Sequence, residues 1–437
     1  MNKKEQVLRT VEKMQAEIIS LLSELVRIPS VNPRYPGADY NQLVGGEGAC
    51  NHRLAEAYRT VGCQVDFVEM EKGRANLVGV LKGQGGGRSL IYNGHIDTVP
   101  VGNAAEWKWQ DPFSGKVEDG KLYGRGSTDM KSGIVAQLKG VEAVLRSGMK
   151  LQGDVILESV VGEETMTHGV GTSAVCEKYK ADAAIVSEPT APPFPLAVVP
   201  VTPGLIWFTI TCRGKASHAG VRHEVVRPGG RGAEIAVDAI EKGIYIYQAL
   251  RRLEEQWGQT KKHPLFRPGY FTLHPGVISG APYGITVPFL IPQFCTIEYA
   301  VWYPPQEREE DIRKEITDYI ENVCRLDPWL REHPPEITFN LHWPPAQIPT
   351  DHPIVQTCAR AHREAISPKQ VDDRDLYQAF NAVCDAAFLN AAGVPSVVYG
   401  PGNLLQAHAV DEYVYVEELM TATRTFALAA MEWCGCA

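Results

Sequence analysis

Two histidines and a set of carboxylates, each placed where a short apolar run ends, are the residues of this chain best equipped for chemistry. Gly94-His95-Ile96-Asp97-Thr98-Val99-Pro100 directly follows an apolar run and sets His and Asp two apart. A lone His is more often structural, but a metal-binding imidazole donates its other N–H to a carboxylate or carbonyl, a task that suits Asp97. Residues 124–133, Gly-Arg-Gly-Ser-Thr-Asp-Met-Lys-Ser-Gly, are glycine-rich and open onto a helical pattern. Such turns also cradle phosphates, yet no Walker pattern is present, and a carboxylate there, Asp129, can instead bridge two divalent cations. Val161-Gly162-Glu163-Glu164-Thr165 places two carboxylates side by side after a hydrophobic run. On a solvated surface that pair would mean little. At the end of a buried strand the two repel and need cations nearby, and a division into one ligand and one general base accounts for both. Ser187-Glu188-Pro189-Thr190 is another carboxylate at a strand end, joined late in the chain by Gly400-Pro401-Gly402 and His408. Together these segments offer two His and three carboxylates, a mixture of N and O donors suited to zinc and to its neighbours cobalt and manganese.

The elements that must position these groups alternate between helical and strand patterns. Ile18, Leu21, Leu22, Leu25 and Val26 recur at helical spacing, predicting a helix over 11–26. Short apolar runs bounded by Gly or charge predict strands at 65–68, 76–80, 89–92, 154–160, 183–186 and 396–399. Helices are expected over 132–146 and 416–433. This alternation means α/β with a mostly parallel central sheet, whose ligand sites lie where the strands end. Around Pro192-Pro193-Phe194-Pro195 the rhythm breaks. Strands near 205–211, 271, 294–302 and 337–341, with helices over 233–257 and 307–324, then make a second, α+β domain. The expected division is 1–200 and 346–437 for a catalytic domain, with 201–345 inserted.

Composition narrows the class further. With 437 residues the chain exceeds what one hydrophobic core usually organises. Its 43 Lys plus Arg against 52 Asp plus Glu leave a formal charge of −9, which argues against a nucleic-acid partner and for a small molecule. No run could span a membrane. Glu12, Lys13, Glu17 and Glu24 interrupt the N-terminal apolar residues, and ten scattered cysteines form no CxxC pair, so a cytoplasmic protein with reduced thiols is expected. Cys434-Gly435-Cys436 is read as incidental.

In the order and spacing of GHIDTVP, LYGRGSTDMKSG, GEET, SEPT, RGKASHAG and YGPGNLLQAHAVDEYV, the sequence resembles the di-zinc family of acetylornithine deacetylase, succinyl-diaminopimelate desuccinylase, aminoacylase and glutamate carboxypeptidase. The resemblance implies a zinc-peptidase-like catalytic domain with an inserted lid and dimerisation domain, two Zn2+ per chain (Co2+ or Mn2+ as substitutes), and a homodimer. It implies that His95 and Glu188 hold one zinc, Glu164 and His408 the other, and that Asp129 bridges them. Glu163 would be the general base and Asp97 the partner of His95. His218, from the KASHAG segment, would reach a neighbouring active site across the dimer interface and stabilise the developing oxyanion.

The resemblance breaks where many members hold a substrate carboxylate with an Asn and an Arg. Ile285 stands where the Asn is expected, and Val301 or Trp302 where the Arg is expected. Ile285, Trp302 and Gly402 are the residues expected against substrate, with Trp302, Tyr299 and Tyr303 offering aromatic surface of which strand alternation lets only some reach a ligand. Arg222, Arg227 and Arg231, within the insertion 221–232, are an alternative source of positive charge. The expected activity is metal-dependent hydrolysis of an amide in a small N-acyl compound lacking that carboxylate, with deformylation or deacylation of a heterocyclic amine as one candidate. A dipeptidase or carboxypeptidase would use the same metals but must grip a free terminus. A ligand-binding relative without chemistry would not need the complete set of ligands and base found here.

Overall fold

The computed structural model describes residues 2–191, 194–280 and 287–437. The chain divides into two compact units, Met1–Thr202 with Ala346–Ala437, and Pro203–Pro345. In the first unit one large sheet runs in the spatial order Gln64–Glu71, Arg74–Leu81, Val155–Val160, Leu90–His95, Ala183–Val186, Ser396–Val398, Val198–Thr202, Ala346–Gln347, with Tyr377–Ala379 beside Val198–Thr202. The four central strands, from Val155–Val160 to Ser396–Val398, are parallel to one another, and antiparallel pairs flank them. Every residue of Leu90–His95, Val155–Val160 and Ala183–Val186 is buried, which is why these strands read as mainly apolar runs rather than alternating ones, with buried Asn93, Glu158 and Ser159 among them.

Helices cover this sheet. Ser132–Arg146 is buried from Ser132 through Val144 and packs against Val416–Cys434. Gly140 permits that approach, since a Cβ there would lie 2.9 Å from the Thr423 carbonyl oxygen and the Ala427 nitrogen. The single helix expected over 11–26 is two helices, Lys3–Lys13 and Gln15–Val26, joined at buried Met14. The first begins with a capping box in which Asn2 and Glu5 each satisfy the other's backbone N–H. Val7 carries the apolar stripe one turn back beyond the expected start at Val11.

In the second unit a four-stranded antiparallel sheet runs Leu273–Gly280, Phe294–Tyr303, Gly204–Arg213, Glu336–Trp343. Phe294–Tyr303 alternates strictly, with Cys295, Ile297, Tyr299, Val301 and Tyr303 buried beside Ile246, Leu250, Leu253 and Trp257 of the helix Ala239–Thr260 and Ile312, Ile316 and Ile320 of Glu309–Cys324. Each large apolar side chain so buried stabilises the unit by roughly 1.5–3 kcal/mol. The ten cysteines are free thiols. Among the described residues no helix is long and apolar enough to cross a membrane.

Candidate active site

Register brings the first-named residues together. His95 ends its strand paired with Val160, and Asn93 pairs with Val186, so His95 emerges between the segments that carry Glu163–Glu164 and Glu188. Asp129 lies in the irregular turn Ser127–Lys131 that leads into the Ser132–Arg146 helix. His408 sits in the loop after Ser396–Val398 with φ of 63°, a left-handed conformation uncommon for a residue with a Cβ. Two glycines let these loops close up. A Cβ on Gly400 would fall 2.1 Å from the Ser187 carbonyl oxygen, and one on Gly133 2.3 Å from the same atom.

The groups converge at one edge of the sheet. His95 Nε2 is 3.1 Å from Asp129 Oδ1, 3.6 Å from Glu188 Oε1 and 3.9 Å from Glu163 Oε2. His408 Nε2 is 3.0 Å from Glu164 Oε2 and 3.4 Å from Asp129 Oδ2. The two oxygens of Asp129 thus face two different imidazoles. Donor atoms of His95, Asp129 and Glu164 all lie within 4.8 Å of one another. The carboxylates are nearly out of solvent, at 5% exposure for Glu164 and Glu188, 9% for Asp129 and 12% for Glu163, whereas His408 is 54% exposed. On the other side of the His95 ring, Nδ1 is 3.0 Å from the Asp97 carbonyl oxygen and 3.7 Å from the Asp97 carboxylate. That carboxylate instead accepts from Asn32 Nδ2 at 2.7 Å and from the Glu164 backbone N–H at 3.1 Å.

Such packing of acids has an electrostatic cost that sets the pKa values. Burial, reinforced by Glu188, Glu164 and Asp385, pushes the Glu163 carboxyl well above its usual range, with His95 opposing. Glu188 is raised for the same reason and Glu164 less so. Burial disfavours protonated His95 and His408, but their carboxylate neighbours outweigh it, raising His95 strongly and His408 to about 11. Among the described residues no Lys or Arg pairs with Asp129, Glu163, Glu164 or Glu188. Closely spaced, buried carboxylates with imidazoles as the only partners are a donor set that suits divalent cations.

Three residues near this cluster carry signals that the sequence reading gave no role. Arg125 and Glu412 form a buried ion pair behind Asp129, and both lie within motifs already singled out. Asp385, 2% exposed, begins the helix Ala386–Ala391, and burial raises its carboxyl to about 6. Nothing in its Cys384-Asp385-Ala386 setting distinguishes it by composition.

The expected substrate residues fare differently. Ile285 lies outside the described residues. Gly402 belongs to the first unit, its φ is 106°, and a Cβ there would meet Thr128 Oγ1 at 2.2 Å, so its need for glycine is explained by loop packing. Trp302 is half-buried on the sheet face opposite the second unit's core. Tyr299, Tyr303 and Val301 point into that core, so of the three aromatic residues expected near substrate strand alternation turns the two tyrosines inward, with Tyr299 stacked on Phe208. Arg222 and Arg227 are engaged by Asp238, Glu241 and Glu224. His218 belongs to the second unit and is exposed, its Nδ1 accepting from the Gly220 N–H at 3.0 Å.

An open α/β sheet with imidazoles and carboxylates converging at the ends of its parallel strands is an arrangement that suits a metal-dependent hydrolase. The family model of peptidase family M20/M25/M40 matches residues 91–432, and the chain belongs to that family; it is a hydrolase of amide bonds. N-formyl-4-amino-5-aminomethyl-2-methylpyrimidine deformylase of Halalkalibacterium halodurans is 33% identical over 444 residues, covering 98% of this chain and 97% of that protein. The deformylase of the same name from Bacillus subtilis is 31% identical over 441 residues, again covering 98% and 97%. The crystal structure of human carnosine dipeptidase 1 is similar with a TM-score of 0.70 at 19% identity, covering 99% of both chains, a likeness of fold.

Proposed function

We propose that this chain removes the formyl group from an N-formyl aminomethylpyrimidine, a compound whose name contains no carboxylate. The similarity to two deformylases of that substrate, extending over 98% of the chain and so through both units, carries this reading. The dipeptidase likeness is weaker support for its alternative, because it lies at 19% identity.

In this reading His95 and Glu188 would hold one zinc, Glu164 and His408 a second, and Asp129 would be shared between them, with cobalt or manganese as substitutes. The arrangement of Asp129, one oxygen toward each imidazole, supports it. Bound cations supply Lewis acidity and lower the pKa of a water. Glu163, which among the described residues has no Lys or Arg partner, takes a proton from the attacking water. It delivers that proton to the amine nitrogen as the C–N bond breaks, leaving formate and a free amine. Because His218 Nδ1 accepts a hydrogen bond, its ring proton sits on Nε2, where it can be donated to the carbonyl oxygen as charge develops. A homodimer through the second unit would bring this residue to a neighbouring site. The uncharged edge strand Leu273–Gly280, with Val277 and Ile278 more than half exposed, is a surface suited to such pairing.

Release of formate from the formylated aminopyrimidine, measured before and after chelation, tests the reading. Activity should vanish on chelation and return with added Zn2+, at about two metals per fully loaded chain. A metal-free preparation that still releases formate at full rate would contradict it.

A further inference from the structure

We infer that the buried ion pair Arg125–Glu412 is the positioning device that holds Asp129 and His408 in place relative to one another. The inference rests on the metal reading of the site given above. Arg125 is 2% exposed and Glu412 fully buried. Their guanidinium and carboxylate are in direct contact through Nη1 and Oε2. The other carboxylate oxygen, Oε1, accepts from the backbone N–H of Thr128 at 2.9 Å and of Asp129 at 3.2 Å. The Glu412 carbonyl accepts from the Gly124 N–H at 2.9 Å. Glu412 therefore ties down the turn that presents Asp129.

Arg125 works on the opposite strand of the same cradle. Its Nη2 donates to the His408 carbonyl oxygen at 3.2 Å and to that of Pro100 at 3.4 Å, and its guanidinium lies 5.0 Å from the centre of the Trp107 ring. His408 needs such support, because its φ of 63° is not one a non-glycine residue keeps without external contacts. One pair thus joins three segments: the turn carrying Asp129, the loop carrying His408, and the stretch from Pro100 to Trp107. The two residues whose side chains face each other across Asp129 Oδ2 and His408 Nε2 are fixed from behind by the two halves of one salt bridge. Breaking a buried pair leaves an uncompensated charge, so neither half can be replaced singly without disturbing what it holds. Neither side chain is a ligand in this reading; both act through the backbone of residues that are.

The test is a Co2+ titration of metal-stripped protein, read by its visible absorption, on Arg125→Lys, Glu412→Gln and the control Lys139→Met. Lysine keeps the charge but cannot reach Glu412, His408 and Pro100 at once. Glutamine keeps the shape and an acceptor for Thr128 and Asp129 while losing the charge pair. Both should raise the apparent Kd for Co2+ by about 10- to 100-fold, the usual consequence of removing a group that orients a ligand. Lys139→Met breaks the buried Lys139–Glu142 pair, which touches none of the proposed ligands, and should lower Tm while leaving the Co2+ affinity unchanged. If Arg125→Lys does not fold, the near-isosteric Glu412→Gln decides alone. Wild-type-like Co2+ affinity in the folded variants overturns the inference, as does equal loosening by Lys139→Met, which would make it an effect of general stability. Wild-type protein that binds no Co2+ would instead bring down the metal reading itself, and the inference with it.

Discussion

Glu163 is set apart from its neighbours by what it lacks. Glu164 has His408 at 3.0 Å and Asp129 has both imidazoles, whereas among the described residues Glu163 and Glu188 reach only His95, Glu188 at 3.6 Å and Glu163 farther off at 3.9 Å, and burial raises the Glu163 carboxyl. A carboxylate close to the reacting centre yet not committed to a firm partner is what a proton carrier requires. Glu163→Gln keeps shape and hydrogen-bonding reach while removing the base. Turnover should fall by roughly 100- to 10,000-fold with metal content unchanged, measured by elemental analysis alongside initial rates. Loss of metal in this variant would reassign Glu163 as a ligand. His218→Ala should lower kcat far more than it raises KM, because a donor to an oxyanion acts on charge present only in the transition state. A change confined to KM would make His218 a contact to the bound substrate.

At the scale of elements, the strands that carry the site were the most legible in the sequence. The apolar runs before His95, Glu163 and Glu188 are buried on both faces, and burial of that kind leaves a mainly hydrophobic signature, interrupted here by Asn93, Glu158 and Ser159. The helix over 132–146 matches its expected bounds, since Gly133 and Ser147 sit at the limits of a long apolar pattern. What escaped was set by tertiary contacts rather than periodicity. The break at Met14 falls between two helices that both pack on Ser132–Arg146, the first also on Val416–Cys434 and the second also on the Ser127–Lys131 turn, and the helix expected from 233 begins only at Ala239, where Asp238 caps it. Within the site, the roles of Arg125, Glu412 and Asp385 depend on partners up to several hundred residues away, and no spacing records such a pairing. The helix Pro353–Ala365 carries another such case in His362, 5% exposed, with Nδ1 2.8 Å from the Tyr399 hydroxyl, itself 2.8 Å from Thr425 Oγ1. Burial lowers this imidazole from 6.5 to about 4. The folded state thus disfavours the proton, so the stability it contributes is complete above pH 6.5 and is lost as pH falls toward 4, by up to about 3 kcal/mol. Urea unfolding of wild type and His362→Gln should therefore converge between pH 7 and pH 4.5. A stability gap that stays constant across this range would mean that His362 is held by packing alone.

Over the whole molecule, the central claim concerns the kind of substrate admitted. A carboxylate drawn into a partly closed cleft loses hydration, and without a cation to receive it that loss of several kcal/mol is not recovered. The strand Phe294–Tyr303 contains no Lys or Arg, and its one charged residue, Glu298, accepts from the Trp207 indole at 2.8 Å. Arg222 and Arg227 are already paired with acids of their own unit, while among the described residues Arg231 is exposed and forms no ion pair. The deformylase reading proposed above expects a neutral heterocyclic amide rather than an N-acyl amino acid. The most direct test compares kcat/KM for N-formyl-4-amino-5-aminomethyl-2-methylpyrimidine with that for N-formyl and N-acetyl amino acids, at fixed Zn2+ and pH. The pyrimidine should be favoured by at least about tenfold, the discrimination that some 1.4 kcal/mol of unrecovered desolvation would produce; preference for the amino acids by the same factor would contradict the account.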